Sequence, residues 1–192
     1  MYTVFVVLSF EGPDGYSLAG GLGVRASRLS TALAGQGFET HIFFIGDPWL
    51  EGYLTKCNGL LTQHRWCQWI SRYHPIGVYD GEEGKLNDFT VSIPEYIVET
   101  IARPAVISGK QLVVLAEEWH TAESLCRISD LLFSKGLRDK ALLLWNANNT
   151  LLIKGEKHQE EEQKGENFVR MERRYGKFAR NIPLPSQCSG EN

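Results

Sequence analysis

The residue pattern of this chain changes at Asn148-Asn149-Thr150, and that change limits what the chain can fold into. Upstream, apolar strands alternate with amphipathic helices around a glycine loop. Downstream come Leu-Leu-Ile-Lys-Gly-Glu-Lys, an acid-rich tract and a strand-rich stretch ending Ile182-Pro-Leu-Pro. Strands alternating with helices predict an α/β domain with a parallel sheet, whereas alternating apolar and charged positions predict antiparallel strands with one exposed face. The expected organisation is an α/β domain over 1–149, a short antiparallel β appendage over 150–185 and a disordered tail over 186–192.

Tyr2 to Ser9 is β-branched and aromatic with no polar alternation, the pattern of a strand buried on both faces. The turn residues Gly12-Pro13-Asp14-Gly15 and the loop Ala19-Gly20-Gly21-Leu22-Gly23 follow. Val24 to Gln36 reads as a helix with Gly37 as its C-cap, and Glu39 to Ile45 as the next strand. A strand, glycine loop, helix and strand in this order make a right-handed crossover unit.

Further on, Trp66, Trp69, Ile70 and Tyr73 have partial helical spacing within Trp49 to Tyr73. Tyr79 to Phe89 is polar and glycine-containing, so an exposed loop is expected there. Pro94 to Arg103 predicts a short helix, Gln111 to Ala116 a buried strand, Ala122 to Lys135 an amphipathic helix ended by Gly136, and Ala141 to Trp145 a strand.

The formal net charge of -3 provides no field for nucleic acid or an anionic membrane, so neither is expected as a partner. Met1 to Phe10 lacks a basic leader and a cleavage site, and no apolar run reaches membrane length. Cys57, Cys67, Cys126 and Cys188 lie far apart without a CxxC pair, which predicts reduced thiols, no metal site and a cytoplasmic setting.

Two segments upstream are candidates for chemistry. Gly20, Gly21 and Leu22 lie between a buried strand and a helix start, where glycines admit a ligand and free amides attract an anion. The spacing is not the GxGxxG fingerprint, and a tight ligand-free turn accounts for these glycines equally well. The second segment is Trp119-His120-Thr121, at the carboxyl end of a buried strand, the edge at which open α/β sheets bind ligands. A histidine beside a tryptophan is more commonly a packed or capping residue, and context must decide.

Together, the Gly-Gly-Leu loop, the helix running from Arg28 through Leu-Ser-Thr-Ala-Leu-Ala-Gly-Gln-Gly-Phe-Glu-Thr to His41, and Glu118-Trp-His-Thr-Ala122 resemble the N-terminal domain of GT-B glycosyltransferases of the glycogen/starch synthase type. The resemblance covers roughly the first three-quarters of the chain and implies a Rossmann-like parallel sheet with flanking helices. It further implies sugar or acceptor contacts at Gly20, Gly21, Leu22, Trp119, His120, Thr121 and Asn148. A nucleotide sugar is the co-substrate in that family, and no other cofactor is implied. The family's lysine two residues before Gly-Gly is replaced by Leu18, and Ala147 stands where its donor-side histidine would fall. No residues remain for a donor-binding second domain, so no turnover is expected of this chain alone.

From Leu151, the strand, Gly-Glu-Lys, the acidic tract with Glu160-Glu161-Glu162, and Asn167 through Glu-Arg-Arg-Tyr-Gly-Lys-Phe to Pro185 resemble the α-crystallin domain of small heat-shock proteins. Read from the residues, Leu151 to Ile153 is a strand, His158 to Asn167 a charged loop, and Phe168 to Tyr175 and Phe178 to Leu184 two further strands. The resemblance implies that Phe168, Val169, Arg170, Met171, Glu172 and Arg173 pair with the sheet edge of a second subunit in a homodimer. Two functions from different classes therefore compete: the acceptor-side half of a glycosyltransferase, which handles a nucleotide sugar or a glycan, and a chaperone-like dimerisation module.

Overall fold

The structure, a computed structural model, describes residues 2–147, 150–165 and 168–183, with side chains up to Asn146. The chain divides into two compact units between Asn146 and Ala147.

The first unit is an α/β fold on a mostly parallel, Rossmann-like sheet. Its strands are β1 (Thr3–Leu8), β2 (Glu39–Ile45), β3 (Tyr53–Lys56), β4 (Leu61–Trp66), β5 (Gln111–Glu117) and β6 (Ala141–Ala147). Within this unit they lie in the order β3-β4-β2-β1-β5-β6. β4, β2, β1, β5 and β6 are parallel to their neighbours, and β3 closes the edge antiparallel to β4. From β1 the chain winds outward to β2 and β4, then returns to β5 on the other side of β1. The point between β1 and β5 where the winding reverses is where such sheets open a crevice at their carboxyl ends.

Helix α1 (Gly21–Gly35) covers one face through Ala26 and Ala34, which pack with Val7, Ile42, Phe44 and Leu61. The other face holds Val4, Val6, Leu8, Phe43, Leu112 and Val114 under α3 (Glu82–Ile97) and α5 (Ala122–Ser134). Burial on both faces explains why β1 shows no polar alternation. Gly37 ends α1 with a φ of 89°, a left-handed position that glycine occupies without strain.

Four expectations for this unit are corrected. Helix α1 begins at Gly21 rather than Val24. The stretch Tyr79 to Phe89 is a turn only as far as Gly81, because α3 opens at Glu82 and buries Lys85, Phe89, Ile93 and Ile97 at four-residue spacing. A lysine in the first position of that apolar stripe hides it from a hydropathy reading. Its Nζ is buried and donates to the Tyr16 hydroxyl (2.6 Å) and the carbonyls of Gly77 (2.9 Å) and Val78 (3.2 Å). The short helix expected over Pro94 to Arg103 is instead the end of α3, a π-turn at Val98–Ala102 and the short α4 (Arg103–Ile107). Pro94 lacks an amide hydrogen for the helical ladder, and this local widening follows it.

The partly helical reading of Trp49 to Tyr73 holds only at its end: the segment forms β3 and β4, and then α2 (Gln68–Ser71), whose turn carries Trp69, Ile70 and Tyr73 while Trp66 lies in β4. β4 buries Gln63, His64 and Arg65, polar residues that conceal a buried strand. Arg65 makes a two-pronged ion pair with Asp14 at 2.7 and 3.1 Å, both groups being buried. His64 stacks on Phe43 (4.2 Å between centroids) and lies 3.1 Å from the His41 ring nitrogen.

The second unit is an antiparallel hairpin of β7 (Thr150–Gly165) and β8 (Phe168–Pro183). Here the loop expected over His158 to Asn167 is corrected, since residues up to Gly165 are strand. The two strands expected after it are one. The register sets Glu160 opposite Arg173, Glu161 opposite Glu172 and Glu156 opposite Lys177. Asn148 and the tail over 186–192 lie outside the described residues. No helix among the described residues is long and apolar enough to cross a membrane.

Burial pushes the imidazole of His64 down to about 4, with the charge of neighbouring His41 acting in the same direction, and burial also lowers His41. A histidine depressed in the folded state binds its proton more readily once unfolded. Its contribution is therefore intact above pH 6.5 and is lost as the pH falls toward 4. Between pH 7 and pH 5 the His64 part of this loss is about 2 kcal/mol. Urea unfolding at the two pH values should give a stability difference that shrinks by that amount in His64→Phe, and an unchanged difference would refute it.

Candidate functional site at the carboxyl edge of the sheet

The segments leaving β1 and β5 meet at the winding reversal. After β1, Glu11 turns back under the glycine loop. Its Oε2 accepts from the amides of Gly20 (2.9 Å) and Gly23 (3.0 Å), and its Oε1 accepts from the Tyr79 hydroxyl (2.7 Å). Gly20, the N-cap, has no side chain to supply a cap, so a carboxylate from the preceding loop caps the first turn of α1. That is why the helix extends back to Gly21. Gly23 is required by close approach, because a Cβ there would lie 2.9 Å from the Gly12 carbonyl oxygen and 3.2 Å from the Glu11 Cβ. Gly21 faces open space and has no such constraint.

After β5, Glu118 adopts φ 64° and ψ 172°, a strained conformation for a side-chain-bearing residue. It is held by its amide donating to the Asn146 carbonyl (2.7 Å). Its own carbonyl accepts from Trp145 Nε1 (2.8 Å) and Thr121 Oγ1 (2.9 Å). The bend sends the chain into a 3-10 turn over Trp119–Thr121.

Arg25, on the exposed side of the first turn of α1, pairs with Glu117, which also accepts from Asn146 Nδ2 at 3.0 Å. Burial raises the Glu117 carboxyl above the usual carboxylate range, against the opposing pull of Arg25 and Asn146. Tyr79 is likewise raised, first by burial and then by its bond to Glu11.

His120 is buried between two rings, stacked on Phe10 (4.2 Å) and Trp119 (3.8 Å). Its Nε2 lies 2.7 Å from a Glu82 carboxylate oxygen at the start of α3, and its Nδ1 is buried without a partner. Trp119 itself is 55% exposed at the rim.

Of the residues expected from sequence, Gly20, Trp119, His120 and Thr121 contribute to this constellation. Thr121 does so through backbone carbonyls alone. Leu22 is half-buried on the first turn of α1. Asn148 is not described, and Phe168 to Arg173 lie in β8, where the register pairs them with β7. Sequence reasoning missed Glu11, Arg25, Tyr79, Glu82, Glu117 and Asn146. Glu11 and Glu117 had a usable signal, an acidic residue just past or at the end of an otherwise apolar strand. Tyr79 and Glu82 have none, because the polar, glycine-containing stretch that carries them has the pattern of an exposed loop. No group of residues suited to holding a metal ion occurs among the described residues.

Comparison with known proteins treats the two parts of the chain differently. Residues 134–192 match the Hsp20/alpha crystallin family. A 17.3 kDa class II heat shock protein of Solanum peruvianum is 52% identical over 42 residues, which is 22% of this chain and 27% of that protein. A 17.9 kDa class II heat shock protein of Helianthus annuus is 45% identical over 42 residues, 22% of this chain and 26% of that protein. The chain thus spans about a quarter of the length of these relatives. In three dimensions it is similar to the catalytic domain of starch synthase IV from Arabidopsis thaliana bound to ADP and acarbose. The TM-score is 0.51 at 15% identity, over 77% of this chain and 34% of that one. The α/β fold of the first unit is thus similar to part of that catalytic domain, and the C-terminal residues are similar to the Hsp20/alpha crystallin family.

The Glu11 cap predicts a large local cost. Glu11→Ala leaves two helix amides and a tyrosine hydroxyl without their acceptor and should lower stability by about 2 kcal/mol. Tyr79→Phe, which leaves both amides bonded, should cost less than half as much. Equal losses in chemical denaturation would contradict this division.

Proposed function

We propose that the first unit is the acceptor-side half of a sugar-transfer fold, that it binds a neutral glycan at the carboxyl edge of β1 and β5, and that this chain does not transfer sugar by itself. The observation that carries the reading is the state of the charges in the crevice. Two of the amides at the start of α1, the natural seat of a phosphate, those of Gly20 and Gly23, are already bonded to Glu11, and Arg25 is already paired with Glu117. A diphosphate would have to displace a carboxylate at one and meet a neutralised cation at the other. A hydroxyl-rich neutral ligand meets no such opposition and finds an exposed indole at Trp119 for the apolar face of a sugar ring. Leu18 and Ala147, which replace the family's donor-side lysine and histidine, agree with this. The related starch synthase was bound to both ADP and acarbose. By this proposal only the second kind of ligand has a counterpart here.

Titration calorimetry with maltoheptaose tests the reading. Saturable binding is expected, weakened about tenfold in Trp119→Ala, the loss of roughly 1.4 kcal/mol that one stacked ring can supply. His120→Ala should weaken it as well, because Trp119 stacks on that ring. Incubation with ADP-glucose or UDP-glucose and the same glycan should give no elongated product; measurable elongation would overturn the claim of inactivity.

A second reading, supported by the Hsp20/alpha crystallin match, concerns association. β8 ends the strand order, so among the described residues one of its edges is unpaired, and an unpaired edge is a template for a second chain. Phe168 to Arg173 would supply the contact. Multi-angle light scattering should show a dimer that Met171→Pro converts to monomer, and a monomeric wild-type chain would sink this reading.

A further inference from the structure

The turn that joins β3 to β4 makes a demand on the backbone, and meeting it places a reactive pair of residues at the surface. Lys56 pairs with Leu61 across the antiparallel ladder, and the Leu60 amide closes the turn by donating to the Cys57 carbonyl (3.1 Å). Three consecutive residues between them have positive φ: Cys57 at 52°, Asn58 at 54° and Gly59 at 91°. Glycine takes that conformation without strain, and asparagine tolerates it better than most other residues. An added Cβ at Gly59 would meet nothing within 4 Å, so φ and not packing calls for glycine there.

The pair that satisfies this geometry is chemically labile. Asparagine is a thermolabile residue, because the next main-chain nitrogen can attack its side-chain carbonyl carbon. Glycine leaves that nitrogen unshielded, and of the chain's asparagines only Asn58 is followed by glycine. Cys57, Asn58 and Gly59 are all exposed, and among the described residues no hydrogen bond engages the Asn58 side chain. The aspartate–glycine pairs that could close the same ring are restrained. Asp14, before Gly15, is buried and gripped by Arg65 at 2.7 and 3.1 Å. Asp80, before Gly81, lies 3.3 Å from both His74 Nδ1 and the Ile76 amide.

Ring closure requires Asn58 to leave its φ of 54° and ψ of 36°, so the turn must open transiently. Little opposes that opening. All four residues of β3 are exposed, and β3 ends the strand order. Opening also releases Cys57 and Asn58 from left-handed backbone, and such weakly held edges open at low cost.

We propose that Asn58 is a site of spontaneous deamidation, a modification point at the amino end of β4. The Gly59 nitrogen bonds to Asn58 Cγ and gives up its proton, and the side-chain nitrogen leaves as ammonia. Water then opens the cyclic imide. Cleavage at the side-chain carbonyl yields aspartate, and cleavage at the main-chain carbonyl yields isoaspartate. The net change is one water taken up and one ammonia lost, and a neutral amide becomes a carboxylate two residues from Lys56. In isoaspartate the main chain runs through Cβ and Cγ and is longer by one carbon. That longer link falls between fixed points, since Lys56 is in register with Leu61 and the Leu60 carbonyl accepts from the Thr40 amide (2.8 Å). Leu61 itself is buried with Ala26 and Ala34 of α1. The isoaspartyl turn therefore loosens β3. The site lies at the opposite end of the sheet from the crevice, and neither depends on the other.

The 192-residue chain is incubated at pH 7 and at pH 9 and then digested with trypsin, which releases Cys57 to Arg65 as one peptide. Mass spectrometry should show a one-dalton gain at Asn58, with isoaspartate in excess of aspartate. The gain should accumulate roughly fivefold or more faster than at Asn87, which is exposed but held in α3. It should be faster at pH 9, because the attacking nitrogen must shed its proton. The chain in urea gives the unprotected rate. The proposal is overturned if Asn58 stays intact in the folded chain while it converts in urea, or if Asn87 converts as fast. Aged wild-type protein should melt below fresh protein, whereas aged Asn58→Gly, which keeps the left-handed backbone, should melt as it did when fresh. Fresh Asn58→Asp should melt close to the wild type. Aged protein converted at Asn58 that melts with the fresh chain would overturn the loosening of β3.

Discussion

The carboxylate of Glu11 is the contact on which the functional edge of the first unit depends. It leaves the carboxyl end of the central strand β1, caps α1 through the amides of Gly20 and Gly23, and fixes Tyr79 in the approach to α3. One buried side chain thereby ties together a strand end, a helix start and the segment that leads to Glu82, the partner of His120. The contact also sets the chemistry of the edge. A helix N-terminus attracts anions because its amides are unsatisfied, and that attraction fades once an internal carboxylate satisfies them.

A set of buried polar groups supports the same edge from below. Arg65 reaches from β4 to Asp14 in the loop after β1 and also donates to the Glu51 carbonyl (2.8 Å). Lys85 reaches from α3 to Tyr16 and to the carbonyls of Gly77 and Val78. Each cation binds a loop to a regular element, so charge-assisted hydrogen bonds position the loops of the carboxyl edge alongside the apolar packing of Phe10 and Val78. Removing one partner of such a group is costly because the other is left buried and unpaired.

This explains what was legible in the sequence and what was not. β1, β2, β5, α1 and α5 were readable because their buried faces are almost wholly apolar, and hydrophobic periodicity is the signal that sequence reading relies on. β4 and the first half of α3 were not, because His64, Arg65 and Lys85 occupy positions that the rule reserves for apolar side chains. Their burial is justified only by partners distant in sequence, Arg65 by Asp14 and Lys85 by Tyr16, and no local window contains both members of either pair. The glycine loop and Trp119-His120 were found from local pattern. The acids that define their chemistry, Glu11 and Glu117, were passed over because an acidic residue at a strand end is ordinary until its partners are known. In the tail, charge misleads in the same way: a glutamate-rich tract reads as a loop by itself, and its pairing with β8 is visible only from the register of the second strand.

The two units differ in how their stability can arise, and that bears on what each can do. The first buries two apolar layers around a parallel sheet, so its surface can hold strained and exposed features such as Glu118, Trp69 and Trp119 without losing the fold. A two-stranded hairpin taken by itself has no such reserve, because isolated two-stranded sheets are marginal in water. Long strands worsen that balance, since sixteen residues on each side present a long unpaired edge. Selection on the first unit can therefore act on ligand contacts, whereas in the second it must first act on whatever pairs with the hairpin.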